Sequence, residues 1–427
     1  MGELLFPHLC VRRDPFPNGQ LTKIVDEMTK ASDAGSLSSA FVYFGQFIAH
    51  DCLKSDAGLT ERQVRPHLGL DSIYDLSRLD VDVVLCGNLF SHETLCKDGD
   101  LKGFDFIRHG TTQKALIPEA RNEDNRFVGQ IHILLQRLHN SIASALENGK
   151  NGKRSGTFET AKKLTWLVYQ RIIFTDFIPR IIQPKVSELY SKIGGPLLMS
   201  AWSKDELPQE FSAAAFRFGH SMVRSCYEIN GSNTPIENFF SRVPEPLTPD
   251  AAFLLLDLAS NFAERIDLHL ASAMRLIPDR PEDHNVPWKN LRASEGLPTG
   301  HSIVDDLAGH PTIGLLFRGY RPPVIRRFPF NQISFLDHDN LPLWLYILME
   351  ARQQARGRRL GVLGSVIVCE ALLHAAQAVK PNFFDKEDYL RKVLGDKAVD
   401  LYKRIPANLI DLIRQMDGHQ YECTESP

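Results

Sequence analysis

Apolar residues recur at intervals of three and four along most of this chain, which is the spacing of one face of an α-helix. The pattern predicts helices over residues 38–55, 124–148, 158–193, 209–227, 249–276, 341–355 and 360–378. Strand patterns are few and short. Proline and glycine clusters mark loops between these elements, but none is long enough to be a domain linker. We therefore expect a mainly α protein in which residues 1–427 form a single large helical domain.

The longest apolar run, residues 360–379, has the length of a membrane span. It contains Ser365, Glu370, His374 and Gln377, and such polar groups are costly at the centre of a bilayer. The run therefore predicts a buried helix of a globular protein.

The composition excludes several classes of function. Of the 427 residues, 43% are hydrophobic, and 49 basic against 52 acidic side chains give a formal net charge of -3. This balance gives no indication of a nucleic-acid partner or of an anionic membrane surface as a partner. The N-terminal residues lack the basic start and apolar core of a signal peptide.

The seven cysteines show no CxxC spacing, which argues against a disulfide framework or a zinc cluster. We expect reduced thiols and a cytoplasmic location.

A first segment with candidate chemistry lies at residues 44–53. Gln46 and His50 are four residues apart and therefore share one face of the predicted helix, whereas Asp51 lies about 100° further round. The remaining positions are mostly apolar, so the helix is expected to be buried with a few polar groups that need partners. These residues alone leave open whether His50 works over a cofactor or is an ordinary buried histidine.

The second segment begins with Arg121, just before a long amphipathic helix. Asn122 can cap that helix, and Glu123 and Asp124 suit its positive end. In the simplest interpretation, Arg121 pairs with one of these carboxylates at the surface.

The third segment, residues 210–224, carries Ala214, Arg217 and His220 at intervals of three, close to one helix face. Gly219 removes a side chain next to His220, so a flat group can approach there. His220 is therefore a candidate axial ligand. The alternative is a core histidine that hydrogen-bonds to a carbonyl.

Taken together and in this order, the three segments resemble the animal-type heme peroxidases of the peroxidase-cyclooxygenase superfamily, most closely the short bacterial members. The matching residues are 45–51 (GQFIAHD), 121–125 (RNEDN), 130–132 (QIH), 139–140 (HN) and 215–221 (AFRFGHS). Residues 296–301 (GLPTGH), 342–351 (PLWLYILMEA) and 359–365 (RLGVLGS) resemble later segments of the same family. The resemblance runs from about residue 40 to 380.

This resemblance implies heme b held between the distal helix, which carries His50, and the proximal helix, which carries His220. His220 would bind the iron through Nε2. Its other ring nitrogen would face an asparagine, for which Asn290 is the nearest candidate, although an ungapped match puts Lys289 there. Arg217 would pair with a heme propionate.

On the distal side, the resemblance implies that His50 takes a proton from peroxide and returns it to the departing oxygen. Arg121 would stabilise the negative charge that develops during cleavage. Gln46 would hold the distal water or a halide.

Two positions of the family pattern concern a covalent bond between protein and heme. The aspartate that esterifies heme in the mammalian enzymes is replaced by Ala49, so this bond cannot form. The second ester position falls at Asp124, which is shorter than the family's glutamate. We expect heme b that is bound without ester linkage or through at most one.

The family's calcium site is only partly retained. Asp51 and Asp71 match oxygen ligands, but Arg65 and Gly69 stand where side-chain donors are usual. Calcium takes six to eight oxygens. Asp51 and Asp71 are therefore weak candidates for a calcium site, and Arg65 could replace the cation by pairing with Asp51.

One further position separates reaction classes. Cyclooxygenases carry a tyrosine three residues before the proximal histidine, where this chain has Arg217. The sequence thus favours a heme peroxidase that reduces H₂O₂ and oxidises a small organic donor or a halide. The alternatives are a peroxide- or O₂-dependent heme oxygenase or coupling enzyme with a dedicated substrate, and a non-catalytic heme-binding relative. A binder would need only His220, so the joint presence of His50 and Arg121 favours catalysis. The oligomeric state stays open.

Overall fold

The computed structural model describes residues 3–11, 14–28, 34–53, 66–97, 99–147, 156–204, 206–240, 246–247, 255–271, 274, 285–328, 330 and 333–417. Its α-helices are α1 (Asn18–Met28), α2 (Ala40–Cys52), α3 (Asp71–Tyr74), α4 (Val81–Val84), α5 (Arg126–Glu147), α6 (Thr157–Ile172), α7 (Ile178–Ile181), α8 (Pro184–Ile193), α9 (Leu255–Ser260), α10 (Val286–Ser294), α11 (Gly300–Ala308), α12 (Leu343–Ala355), α13 (Val362–Gln377), α14 (Glu387–Leu394), α15 (Asp396–Arg404) and α16 (Leu409–Asp417). The predicted mainly α fold is confirmed.

The strands in the described part of the chain form antiparallel pairs. They are β1 (Ala34–Ser38) with β8 (Phe262–Glu264), β2 (Leu85–Cys86) with β3 (Leu89–Phe90), β4 (Glu93–Lys97) with β5 (Asp100–Asp105), and β6 (Cys226–Ile229) with β7 (Ser232–Pro235). Each pair is a two-stranded sheet beside the helices, and in the described residues the pairs do not join into a larger sheet.

The helix predictions succeed where a segment is long and strongly periodic. The predictions for 38–55, 124–148, 341–355 and 360–378 correspond to α2, α5, α12 and α13. Helix α13 is buried over most of its length, as expected for residues 360–379. In the described residues, no helix has both the length and the apolar character needed to cross a bilayer.

The predicted helix over 158–193 is interrupted. Helix α6 is followed by a π-helical turn at Ile173–Phe177 and by α7, which ends at Ile181. Helix α8 begins at Pro184. Proline at the first position of a helix starts a new one because its missing N–H is not needed there. Pro184 was thus a signal of the break.

The prediction of one helix over 249–276 is wrong for its described part. Of its described residues only Leu255–Ser260 are α-helical, and Phe262–Glu264 form a strand paired with β1. The side chain of Asn261 bonds both to the backbone N–H and to the carbonyl of Glu228, which draws the chain away from the helix. A long-range pairing here overrides local periodicity.

One hydrophobic cluster of buried residues extends from Phe6 to Met416. Aromatic rings of α2 lie at its centre: Phe44 and Phe47 pack edge-on against Tyr169 at 5.8 and 5.9 Å between ring centroids. Helix α2 packs on α5 and, on another side, on the 3₁₀-helical segment Ala215–Met222. This packing places α2 beside the segment that carries His220.

Candidate active site

A cavity of about 750 Å³ lies between α2 and the segment Ala215–Met222. This volume is in the range of small-molecule and cofactor sites. Both elements supply apolar walls. The polar side chains among its lining residues are Gln46, His50, Asp124, Ser212, Arg217, His220 and Glu237.

The distal wall follows from the geometry of α2. Gln46, Ala49 and His50 all line the cavity, as their shared helix face predicts. Asp51 faces away and accepts hydrogen bonds from Leu70 and Ser72. Gly45 also lines this wall, where a Cβ would stand 3.2 Å from the ring of Phe177.

His50 is held at its inner ring nitrogen. Nδ1 lies 2.9 Å from Oδ1 of Asn122, and an amide oxygen can only accept, so Nδ1 carries the proton. Burial, and next the charge of Arg121, lower the pKa of His50 to about 4. The imidazole is therefore neutral near pH 7, with the lone pair on Nε2.

Arg121 is not among the residues that line the cavity, and its role in stabilising the charge that develops on peroxide stays a prediction. Its guanidinium donates to the carbonyls of His50 and Leu53 at 2.9 and 2.7 Å and pairs with Glu119 at 2.9 Å. The physical reason is that carbonyls at the C-terminus of a helix attract a cation. Arg121 thus caps α2 directly behind His50.

The prediction that Asn122 caps α5 is wrong. Asn125, not Asn122, accepts from the backbone N–H of Val128 at 2.9 Å. The Nδ2 group of Asn125 also donates to Oε1 of Gln46 at 3.0 Å. Since its oxygen is engaged, Gln46 has its amide nitrogen left as a donor. That group suits a water oxygen or an anion.

Asp124 lies at the cavity wall, as its predicted role requires. Burial raises the pKa of its carboxyl to about 6, although the charge of Arg121 opposes this. Glu123, in contrast, turns outward and pairs with Arg108.

The proximal segment is not the regular α-helix that 209–227 predicted. Residues Glu210–Ala214 form a π-helical turn, and Ala215–Met222 are 3₁₀-helical. Side chains three apart eclipse one another in a 3₁₀-helix. Arg217 and His220 therefore both face the cavity, whereas Ala214, predicted to share their face, sits at the break between the two helices.

Asn290 is the side chain that faces Nδ1 of His220, as proposed from the sequence, at 2.7 Å. Its oxygen Oδ1 accepts from Nη1 of Arg217 at 2.9 Å, so its Nδ2 faces the histidine. Burial, and next the charge of Arg217, lower the pKa of His220 to about 3. The imidazole is neutral.

These residues fit a heme. No described residue bonds to Nε2 of His220, and a Cβ at Gly219 would meet no atom within 4 Å, so the space beside the ligand is open. Arg217 supplies a cation for a carboxylate one turn away. Iron bound at Nε2 would leave the ring proton on Nδ1, and Asn290 would accept that proton only with its amide oxygen turned toward His220. In the structure this oxygen accepts from Arg217.

The described residues do not fit calcium at Asp51 and Asp71. The carboxylate of Asp51 accepts from the backbone N–H groups of Leu70 and Ser72 and from the Ser72 hydroxyl. Asp71 pairs with His67 at 3.1 Å. These neighbours are donors, whereas calcium needs further oxygens, and no group of three or more metal-ligating side chains occurs in the described residues. Arg65 lies outside them.

Sequence reasoning missed two residues that shape the distal side. Glu119 is buried and neutralises Arg121, and Asn122 orients His50. Glu119 stands two residues before Arg121, which is a signal for a local pair. No pattern marks the contact between Asn122 and His50, because it joins residues 72 positions apart.

Comparison with known proteins identifies related sequences and folds. Residues 92–284 match the family model described as Animal haem peroxidase. A peroxidase-like protein of Margaritifera margaritifera is 31% identical over 113 residues, which are 25% of this chain and 14% of that protein. Human thyroid peroxidase is 31% identical over 94 residues, 22% of this chain and 10% of that protein. These matches therefore span about a tenth to a seventh of the length of the relatives.

Solved structures share the fold over nearly the whole chain. Peroxidase A of Dictyostelium discoideum aligns with a TM-score of 0.58 and 15% identity, covering 96% of this chain and 87% of that one. A fatty acid alpha-dioxygenase of Oryza sativa aligns with a TM-score of 0.63 and 11% identity, covering 94% and 80%. The predicted resemblance to animal heme peroxidases is thus found in residues 92–284 and in the overall fold. The greater likeness to short bacterial members stays a prediction.

Proposed function

We propose that this chain is a heme b peroxidase that reduces H₂O₂ and oxidises a small organic donor or a halide, with His50 as the acid–base group. The observation that carries the proposal is the pairing of His50 with Asn122 at the edge of the cavity, opposite a segment that presents His220. Among the described residues, His50 is bonded through Nδ1 alone, and a histidine oriented at one nitrogen with its other nitrogen available to a substrate suits a general base. A protein that only bound heme would need His220 alone.

His220 and Arg217 would hold the cofactor, through Nε2 and through a propionate. When bound, heme supplies the iron centre at which peroxide is reduced to water while the donor is oxidised. Asp124 faces the same cavity and is the one position where the family's ester bond could form. We propose heme that is bound without that bond, because the aspartate side chain is short.

The distal residues divide the work on peroxide. Nε2 of His50 takes the proton from one peroxide oxygen and gives it to the other, so that water leaves. The amide nitrogen of Gln46, oriented by Asn125, donates to an oxygen or a halide in the cavity. Arg121 acts from behind: it fixes the end of α2 at His50 and favours the neutral imidazole.

The position of Arg217 favours peroxidase chemistry over fatty-acid oxygenation. A tyrosine there would provide the radical that abstracts hydrogen from a substrate, and arginine cannot. The dioxygenase likeness concerns the fold, at 11% identity.

The test is a spectrum. Protein loaded with heme is mixed with H₂O₂ in a stopped-flow instrument, then screened with aromatic donors and halides, with His50→Leu and Arg121→Ala alongside. We expect a rapid change in the Soret band for the wild type, and a change slowed by about 10²- to 10⁴-fold for His50→Leu. A wild-type Soret band that does not respond would overturn the proposal. Oxygen uptake with a fatty acid in place of donor turnover would favour the oxygenase.

A further inference from the structure

A second buried histidine lies behind the distal one. Asn122 stands between them: its Oδ1 is 2.9 Å from Nδ1 of His50, and its Nδ2 is 3.0 Å from Nδ1 of His132. Asn122 and His132 are both fully buried. His132 belongs to the QIH segment of α5, and the proposed chemistry gives it no task.

We propose that His132 is a positioning residue that, through Asn122, fixes His50 in the tautomer with the proton on Nδ1 and the lone pair on Nε2. An amide nitrogen can only donate and an amide oxygen can only accept. While Nδ1 of His132 accepts, the Asn122 amide has one orientation, and its oxygen faces His50. The catalytic consequence of this lock rests on the proposed function, but the lock itself does not.

The surroundings of His132 keep its Nδ1 an acceptor. Its Nε2 has no hydrogen-bond partner among the described residues. The rings of Phe106 and Phe47 stand nearly perpendicular to it, with centroids 5.3 and 6.2 Å away. Neither ring carries an N–H or O–H group, so neither competes with the Asn122 amide nitrogen for the lone pair on Nδ1. Burial, together with the nearby His92, lowers the pKa of His132 to about 3, which keeps the ring neutral.

The lock is needed because a free imidazole exchanges its proton between both nitrogens. If the Asn122 amide turned over, its NH₂ group would face His50, and the proton of His50 would move to Nε2, toward the cavity. That tautomer cannot take a proton from peroxide at Nε2. Arg121 holds the backbone of His50, whereas Asn122 is the only described residue that hydrogen-bonds to its ring.

The first test reads the tautomer directly. We label the imidazole nitrogens of the full-length, heme-free protein with ¹⁵N and identify the His50 signals by their loss in His50→Leu. In the wild type we expect a protonated Nδ1 and an unprotonated Nε2. In His132→Leu the two signals should move toward the average of both tautomers, and in His132→Gln, whose amide oxygen can accept, they should move back.

The matched control is His139→Leu. His139 is also fully buried on α5, but it bonds to Tyr74 and Asn88 rather than to Asn122. Its loss should leave the His50 signals unchanged. His50 signals that are the same in His132→Leu as in the wild type would overturn the inference. So would a wild-type His50 protonated at Nε2, a result that needs no variant to fold.

A second measurement separates this inference from the proposed function. With heme bound, His132→Leu should react with H₂O₂ about 10- to 100-fold more slowly than the wild type, with unchanged heme content, while His139→Leu reacts normally. If the wild type does not react with peroxide, the proposed function fails, and the nitrogen spectra still decide the role of His132. An unchanged rate in a folded, heme-loaded His132→Leu counts against the inference.

Discussion

The distal and proximal sides of the cavity support their histidines in different ways. His50 lies on a regular α-helix, and an asparagine oxygen faces its inner nitrogen. His220 lies on a 3₁₀-helical segment, and the nitrogen of an asparagine amide faces it, because Arg217 holds the oxygen. The distal histidine is therefore oriented for its role by protein groups alone.

The proximal histidine depends on where Arg217 binds. Once Arg217 pairs with a carboxylate in the cavity, the Asn290 oxygen is free to turn toward His220 and accept its Nδ1 proton. We expect the proximal side to take its final arrangement with the cofactor, whereas the distal side has it beforehand.

Removal of the proximal ligand should have the largest effect. His220→Ala should abolish axial ligation, because no other described residue presents an imidazole to that end of the cavity. Heme titration with absorption spectra measures this. His50→Ala is the control, and it should bind heme with the wild-type spectrum; unchanged spectra in His220→Ala would contradict the assignment.

The distal counterpart is next in size. His50→Leu should keep its heme and lose about 10²- to 10⁴-fold in the rate of reaction with H₂O₂, since the acid–base group is absent. Rapid-mixing absorption measures the rate. If His50→Leu instead lost heme and kept the wild-type rate per bound heme, His50 would contribute to heme binding, and the distal and proximal sides would not have separate roles.

The support of the proximal ligand can be removed while the ligand stays. Asn290→Leu should weaken heme affinity or peroxide turnover by about 10- to 100-fold, as is typical when the partner of a ligating histidine is lost. The matched distal variant is Asn122→Leu, which should lower the peroxide rate but spare the affinity for heme. Equal loss of affinity in both variants speaks against the distinction.

Acid should destabilise the folded protein through its buried histidines, among them His132 of the distal support. Burial lowers the pKa of His132 to about 3 and that of His139 to about 4, against 6.5 for an unfolded histidine. As pH falls from 6.5 to 4, the unfolded chain takes up protons that the folded chain refuses, so stability is lost. Each such histidine should account for about 1 to 3 kcal/mol of this loss.

Denaturant unfolding at pH 6.5 and pH 4 measures the difference. His132→Leu should flatten the pH dependence, because the titrating group is gone. Thr165→Val, which removes a buried group of α6 that does not titrate, should leave it unchanged. An unaltered slope in His132→Leu would mean that its pKa is the same folded and unfolded.

The smallest predicted effect concerns Arg121. Arg121→Ala should lower the free energy of unfolding by about 1 to 2 kcal/mol, because Glu119 and the end of α2 lose their partner. Since Arg121 is partly exposed and Glu119 is buried, the double variant with Glu119→Gln should recover part of the loss. Additive losses in the double-mutant cycle are the contrary result.

The sequence by itself determined the elements whose information is local. Apolar residues that recur three and four positions apart were enough to predict α2, α5, α12 and α13. The four-residue interval between Gln46 and His50 was enough to place both side chains on one helix face. The motif order predicted the resemblance to animal heme peroxidases, and it gave Asn290 as the candidate neighbour of His220. These features depend on side chains close in the chain, or on a pattern that is itself linear.

Tertiary structure decided the rest, because it depends on which distant groups meet. Residues 262–264 became a strand because β1 was available to pair with them. Arg121 lies behind His50 because its guanidinium pairs with Glu119 and donates to carbonyls at the C-terminal end of α2. Asn125 caps α5 instead of Asn122. The side-chain amide of Asn122 bonds to two histidines, His50 on α2 and His132 on α5, and is therefore not available as a cap. A buried amide goes where both of its ends are satisfied, and only the folded chain determines where that is.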